Sequence, residues 1–415
     1  MIAPLSISFR FNLFGTEQQA MVEVFWRVMA AAGAQEARMS NPWNDARVWK
    51  LRGEAVRAAG VRRIINITYS ISPRHNDDYY AERTREAAKL DPYRVCIKDP
   101  GGLLTPERTR TLVPLMIANA GGIPLELHTH CTTGLGPLCA LEAVEQSIRI
   151  VHSAIPPLAD DASLPSVFNL AANLRTLGYE TGIDEEGLRA VEKHFSTIAR
   201  REGFPIGRPA RYDYAQYVHQ VPGGMISNLR SQPREVGQAE RLPQVLEEAV
   251  RVRAEYGYPI MVTPLSQYVG SQAALNVIAG ERYRMVTDHS IRCALGHFGG
   301  EVEEIMDPEV RAKILERPRA KELAAIEDKQ LTLDEIRRGL DAEALSEEEL
   351  VLRYALRKED IERMRAASGP VKEYVTDGDT LVTLVTELAK RAGRNTIRIS
   401  RPGFSLVLGR GNPGA

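Results

Sequence analysis

Apolar positions in the first 160 residues follow two periods in turn. Short runs with strand-like composition occur at 5–11 (LSISFRF), from 36 (EARMS), at 61–69 (VRRIINITY), 94–98 (RVCIK), 125–129 (LELHT) and 148–154 (IRIVHSA). Between them, 17–32, 46–59, 78–89, 106–120 and 136–147 repeat their apolar residues every three to four positions, as amphipathic helices do. Gly33 and Gly60 follow the first two helical runs, and SISPRHND at 70–77 carries an N-cap signature before the third. Regular strand–helix alternation predicts parallel strands with helices packed outside them.

The pattern changes near Leu164. Residues 165–204 read as mostly helical, 211–230 as an aromatic and glycine-rich segment, 241–256 as a helix, and 258–282 as a loop running into a helix. Residues 307–365 are helical and dense in opposite charges at i,i+4 spacing, which marks a solvated face. The last stretch predicts an amphipathic helix at 380–393 and a hairpin from NTIRIS and FSLVLGR. The expected organisation is a strand–helix core over 1–160, a helical domain over 161–370 and a small α+β tail over 371–415.

Composition narrows the functional classes. The 415 residues are 44% hydrophobic and 26% charged, enough for one large core and an accessory domain. With 53 basic and 54 acidic residues the net charge is −1, so no basic surplus points to nucleic acid or an anionic membrane. No apolar run reaches the roughly 18 residues that span a bilayer. The N-terminus lacks the basic and apolar regions of a signal peptide. Four cysteines without zinc-finger or disulfide-scaffold spacing fit a reducing cytoplasm.

Candidate chemistry collects where strands end. Asn41, Asp45, Thr68, Lys98, Asp99, His128 and His130 all fall at C-terminal ends of predicted strands, the rim on which TIM barrels place their active sites. Six strands are countable, where a closed barrel needs eight. His128 and His130 are two apart on a strand and so point the same way, and imidazoles are good ligands for first-row metals. Lys98 ends the preceding strand, so it should stand beside them. Polar strand ends bonded only to backbone would account for the histidines equally simply, and a snorkelling lysine for Lys98. Cys131 reads as a small buried residue, and Pro222-Gly223-Gly224 as a tight turn or a site-shaping one.

IKDPGGLLTP (97–106), HTHCTTG (128–134), YVHQVPGGMISNL (217–229) and VTPLSQYVGSQA (262–273) together resemble the carboxyltransferase part of biotin-dependent enzymes. That group includes the B-type subunit of pyruvate carboxylase, the oxaloacetate decarboxylase alpha subunit and the pyruvate-using transcarboxylase subunit. The resemblance runs in order from the N-terminus to about residue 360. It implies a (β/α)8 TIM-type barrel, HMG-CoA-lyase-like, followed by a mostly helical funnel domain. Matching from residue 5 sets LSISFRFNLFG at the family's third strand, so the barrel is expected to lack its first two strands within these residues.

The function implied is carboxyl transfer between carboxybiotin and pyruvate or oxaloacetate through a metal-bound enolate. Lys98, as a carbamate, would hold a divalent metal (zinc, manganese or cobalt) with His128 and His130. Thr263 would shuttle a proton between biotin and the enolate. Ser266 and Gln267 match the biotin site, and the Ser-Gln pair is closer to the decarboxylase and transcarboxylase branch. Arg10 lies near the position of the arginine that grips the substrate carboxylate. The family's RDAHQS-like motif, whose Asp is a fourth ligand, does not precede Lys98. A scaffold subunit without turnover and a metal-dependent lyase or aldolase are the alternative readings. No Met-Lys-Met biotinylation motif occurs, so biotin is expected on a partner, a biotin carboxyl carrier protein. A biotin carboxylase subunit and a second copy of the chain are the other expected partners.

Overall fold

Five parallel strands pair in sequence order, each followed by a helix: β1 (Ser6–Ile7), β2 (Glu36–Ser40), β3 (Arg62–Thr68), β4 (Arg94–Asp99) and β5 (Leu125–Thr129). They are seen in a computed structural model that describes residues 6–7, 17–221, 241–297, 302–326, 329–367, 369, 396–401 and 404–409. The helices are α1 (Gln19–Ala31), α2 (Ala46–Ala58), α3 (Asp77–Lys89), α4 (Pro106–Asn119) and α5 (Gly136–Glu145). Their starts follow from local chemistry. Asp45, Asn76 and Thr105 each accept a backbone N–H of the helix they cap, and Pro106 occupies the first turn of α4, where no donor is needed.

The strand faces divide by chemistry. Ala37 and Met39, Ile65 and Ile67, Val95 and Ile97, and Leu125 and Leu127 are buried against the helices, in one cluster with Trp26, Trp49, Tyr80, Leu112, Met116 and Ala140. The alternate positions face the other way and, Ile64 and Cys96 apart, are polar. Register brings Ser40 beside Asn66, Thr68 beside Lys98, and Lys98 beside His128. A sheet that hides its apolar face under helices and turns a polar face inward is the arrangement expected of parallel strands around a site.

The sixth expected strand, IRIVHSA, is not a regular one. Val151 forms an isolated parallel bridge to Leu127, and Ala154 one to Ser166. The chain then enters α6 (Val167–Thr176), and later the short α8 (Ala215–His219), with α7 (Glu185–Glu202) between. The cis bond Pro156-Pro157 lies in the connection between Ala154 and α6. Only Ser6 and Ile7 of the first predicted strand are described. Arg10, Pro222-Gly223-Gly224 and the helix expected at 380–393 lie outside the described residues.

Contacts divide the chain into two compact units. The first comprises Met1–Ile183 and Gly207–Ala367. In it the helices Leu242–Glu255 and Leu265–Ala279 pack through Val245, Ala249, Val252, Leu265, Tyr268 and Ala273, and Trp43 from the β2–α2 loop belongs to the same cluster. Five short helices between Pro308 and Ala366 follow. Thr332 and Glu335 form a capping box, and Arg353–Glu349 and Lys358–Glu362 are exposed i,i+4 ion pairs, as the charge pattern predicts. Met21 and Val24 of α1 pack with Ile336 and Leu350. The second unit comprises Asp184–Ile206 and Ser368–Ala415; its described parts are α7 and the antiparallel hairpin β6 (Thr396–Arg401) and β7 (Phe404–Gly409), which matches the expected one. Among the described residues, no helix is long and apolar enough to cross a membrane.

Candidate metal and carboxyl-transfer site

Strand alternation brings Lys98, His128 and His130 together, as the sequence predicts. Lys98 and His128 are lateral partners on β4 and β5, and His130 lies just past the end of β5. The Nε2 atoms of His128 and His130 are 3.2 Å apart. That is about the edge length expected of two imidazoles at roughly 2.0–2.1 Å from one ion. The Nδ1 of His130 lies 2.7 Å from the Ala162 carbonyl. A carbonyl can only accept, so this nitrogen carries the proton and the Nε2 lone pair faces His128. The Lys98 ammonium nitrogen donates to Ser40 Oγ at 3.2 Å.

Burial sets the protonation of all three. It is the largest influence lowering the pKa of His128, to about 2, with the neighbouring His152, His130 and Lys98 adding to it. It lowers His130 against the bond to Ala162, and it lowers Lys98 against Cys96. Two neutral imidazoles suit a metal, and a lysine whose pKa is lowered by burial gives up its proton more readily than an exposed one. The neutral amine is also the form that adds CO2 to become a carbamate, which supplies the oxygen ligand that lysine itself lacks. The residues present therefore fit a divalent ion held by Lys98, His128 and His130.

Beneath this group lies a layer that strand-end motifs do not single out. Glu126 is fully buried on β5. It is ion-paired with Arg38 and, at 2.8 Å, with Arg94, whose other arm reaches Glu36 at 2.7 Å. Burial opposes ionisation of Glu126, but ion pairing and hydrogen bonding around it outweigh burial and hold its pKa down at about 2. His152 joins the two layers: its Nδ1 is 3.0 Å from His128 Nδ1 and its Nε2 is 3.3 Å from Glu126 Oε1. The signal for this layer was charged residues at inward strand positions, Glu126-x-His128-x-His130 and Arg38-x-Ser40. Cys96, Glu126 and His152 are the one cluster of three metal-type side chains within 4.8 Å among the described residues. Two guanidinium groups already satisfy Glu126, and burial drives the Cys96 thiol pKa well upward, so the cluster serves as a floor for the histidine pair.

The third predicted group sits on the other half of the same unit. Thr263 is exposed, at a cis bond to Pro264, and Gln267 is half-buried on the first turn of Leu265–Ala279. Trp43, in the loop after β2, packs in one cluster with Met261 and Leu265 on either side of Thr263. Arg253 donates to the Pro259 carbonyl and to Ser70 Oγ after β3. Both links hold the Thr263 segment to the rim of the sheet. Ser266, by contrast, is fully buried and its hydroxyl has no partner among the described residues. Cys131 is buried, as expected of a small core residue.

Comparison with known proteins gives a consistent picture. The HMGL-like family model matches residues 18–194, and the conserved carboxylase domain model matches residues 217–388. The B-type subunit of pyruvate carboxylase from Methanocaldococcus jannaschii is 34% identical over 67% of this chain and 49% of its own length. The protein of the same name from Methanothermobacter thermautotrophicus is 36% identical over 70% of this chain and 51% of its own. The chain thus spans about half the length of these curated relatives. Among solved structures, the carboxyl transferase domain of Rhizobium etli pyruvate carboxylase with pyruvate and biocytin superposes with a TM-score of 0.77, at 21% identity, over 97% of this chain and 71% of that one. The fold is thus the HMGL-like TIM-type α/β barrel, continued by helices.

Proposed function

This chain belongs to the family of carboxyltransferase chains that includes the B-type subunit of pyruvate carboxylase, and from that premise we propose that it transfers a carboxyl group between carboxybiotin and pyruvate, with oxaloacetate as the carboxylated partner. The observation that carries the proposal is the meeting of Lys98, His128 and His130, with neutral-leaning nitrogens, at adjacent strand ends on the rim that also holds the Thr263 segment.

His128 and His130 would hold a divalent ion through Nε2, and the Ala162 carbonyl fixes the ring of His130. Lys98 gains its ligand oxygen by adding CO2 at Nζ with loss of a proton, a reaction favoured by the depressed lysine pKa. An ion held there would supply polarisation of the keto-acid carbonyl, which favours enolate formation. Thr263 presents an exposed hydroxyl that can pass a proton to the biotin nitrogen as its carboxyl group leaves. The unpartnered Ser266 hydroxyl is the kind of buried polar atom that a ureido ring would satisfy, since leaving it unmet costs about 1–3 kcal/mol. Gln267 flanks it. Biotin is supplied by a carrier protein and charged by a biotin carboxylase subunit, in the cytoplasm, where the four free buried cysteines are at home.

The test is carboxyl exchange between oxaloacetate and free biotin, with zinc, manganese or cobalt supplied. Lys98→Ala, His128→Ala and Thr263→Ala are each expected to lower exchange at least a hundredfold. The two barrel variants should also lose bound metal, whereas Thr263→Ala should keep it. Exchange at the wild-type rate in all three variants would refute the proposal.

A further inference from the structure

His152 is the nearest polar neighbour of His128 on the side away from His130, and nothing in the carboxyl-transfer reading uses it. It stands one residue past the Val151 bridge to Leu127, which sets it alongside His128. Four groups are in line: His130 Nε2 to His128 Nε2 at 3.2 Å, His128 Nδ1 to His152 Nδ1 at 3.0 Å, and His152 Nε2 to Glu126 Oε1 at 3.3 Å. Arg38 Nη2 also lies 3.3 Å from that same His152 Nε2.

A line of rings joined nitrogen to nitrogen has two self-consistent proton arrangements. The bond to Ala162 fixes His130 with its proton on Nδ1. Without an ion, the Nε2–H of His128 donates to the His130 lone pair. His128 Nδ1 then accepts from His152 Nδ1–H, which leaves the His152 Nε2 lone pair to accept from Arg38. With an ion, the His128 Nε2 lone pair is taken. Its proton must then sit on Nδ1 and donate to His152 Nδ1, and His152 carries its own proton on Nε2 and donates to Glu126. Each ring keeps one proton throughout, and only the nitrogen that bears it changes.

We propose that His152 is a positioning residue for the metal site: it hands the tautomer of His128 to the Glu126 carboxylate, and loading of the site moves the His152 proton from Nδ1 to Nε2. The proposal rests on the metal reading above. It gives the site a His–His–carboxylate outer line in place of the direct contact between ligand histidine and carboxylate or carbonyl that usually fixes a metal-bound imidazole. Glu126 accepts that hydrogen bond well because Arg38 and Arg94 keep it ionised. Arg38, within reach of both His152 Nε2 and Glu126, is satisfied in either arrangement.

The test uses the full chain and zinc ion. Histidine-selective 15N spectra, with His152 assigned by its absence from His152→Asn, report which ring nitrogen bears the proton. The expected result is Nδ1–H without zinc and Nε2–H with it. Zinc affinity, read by competition with a chromophoric chelator, separates shape from acceptor. His152→Phe removes the acceptor and should weaken zinc about 10–100-fold, as loss of outer partners typically does. His152→Asn places an amide oxygen where Nδ1 was and should stay within about threefold of wild type. Zinc binding by the wild type with an unchanged His152 proton position, or equal affinity in His152→Phe, overturns the inference and leaves the metal reading standing. No zinc binding by the wild type, or binding indifferent to His128→Ala and His130→Ala, overturns both.

Discussion

Asn44 holds the loop after β2 to the end of β3 with one side chain. Its Oδ1 accepts from Thr68 N at 2.8 Å and its Nδ2 donates to Thr68 O at 2.9 Å, all of it buried, with its own backbone at a φ of 52°. Asn44→Ala leaves a buried N–H and carbonyl unmet and puts a Cβ-bearing residue without a local hydrogen bond in the left-handed region. The expected loss is ~3 kcal/mol in urea unfolding. Asn44→Gly removes the same bonds without the conformational cost, so it should be milder by about 1 kcal/mol. Equal losses would mean that the hydrogen bonds alone matter. At this scale the sequence was informative wherever chemistry follows strand period: Lys98, His128 and His130 could be grouped because alternate residues share a face. His152 could not, because its approach to His128 bridges 24 residues and depends on a pairing that forms only at Val151. Ser266 matches the biotin motif, yet its complete burial is a property of helix packing, which no motif reports.

The strands carry a second, ionic layer. Glu36 from β2, Arg94 from β4, Glu126 from β5 and Arg38 from β2 alternate in sign across the polar face. The depressed pKa of Glu126, about 2 against an ordinary 4.5, makes a signed prediction. Because the folded-state value lies below the unfolded one, the carboxylate's contribution is fully present above about pH 4.5 and is lost as pH falls toward 2. The shift corresponds to roughly 3 kcal/mol. Arg38→Met should raise the Glu126 pKa and move the acid-unfolding midpoint upward, measured by circular dichroism from about pH 6 to about pH 2; an unmoved midpoint would show that Arg94 suffices. Element positions were legible from hydrophobic period through β5, because helices and strands here bury one face each. The sixth predicted strand forms no ladder: IRIVHSA has the composition of a strand, but among the described residues its only pairings are single bridges. Composition reports a residue's preference for an extended backbone, and a ladder needs a neighbour in register as well.

At the scale of the molecule, the metal site and the proton-transfer segment come from different stretches of chain, and Arg253 is a polar link between them. It is buried on Leu242–Glu255, and its Nη2 donates to Ser70 Oγ at 2.9 Å and to Ile71 O at 3.1 Å, both just after β3. Its Nε donates to Pro259 O at 3.1 Å, four residues before Thr263. Among the described residues no carboxylate pairs with it, and burial lowers its pKa to about 10. A guanidinium spent on carbonyls and a hydroxyl holds geometry, since five donors in one plane fix three chain segments at once. The family motifs named both stretches from sequence, but the link between them was not legible, because an arginine in an amphipathic helix reads as a surface residue until packing shows it inside. The expected outcome for Arg253→Met is separation of the two functions. Stability should fall by ~2–4 kcal/mol, as for other losses of a buried polar network. Zinc affinity should remain, because every described contact of Lys98, His128 and His130 lies among the strands and the Ala162 loop. Carboxyl exchange should fall at least tenfold, because the Thr263 segment loses its buried arginine anchor to the rim. Retained exchange with weakened zinc binding would reverse the assignment and make Arg253 a support of the metal site.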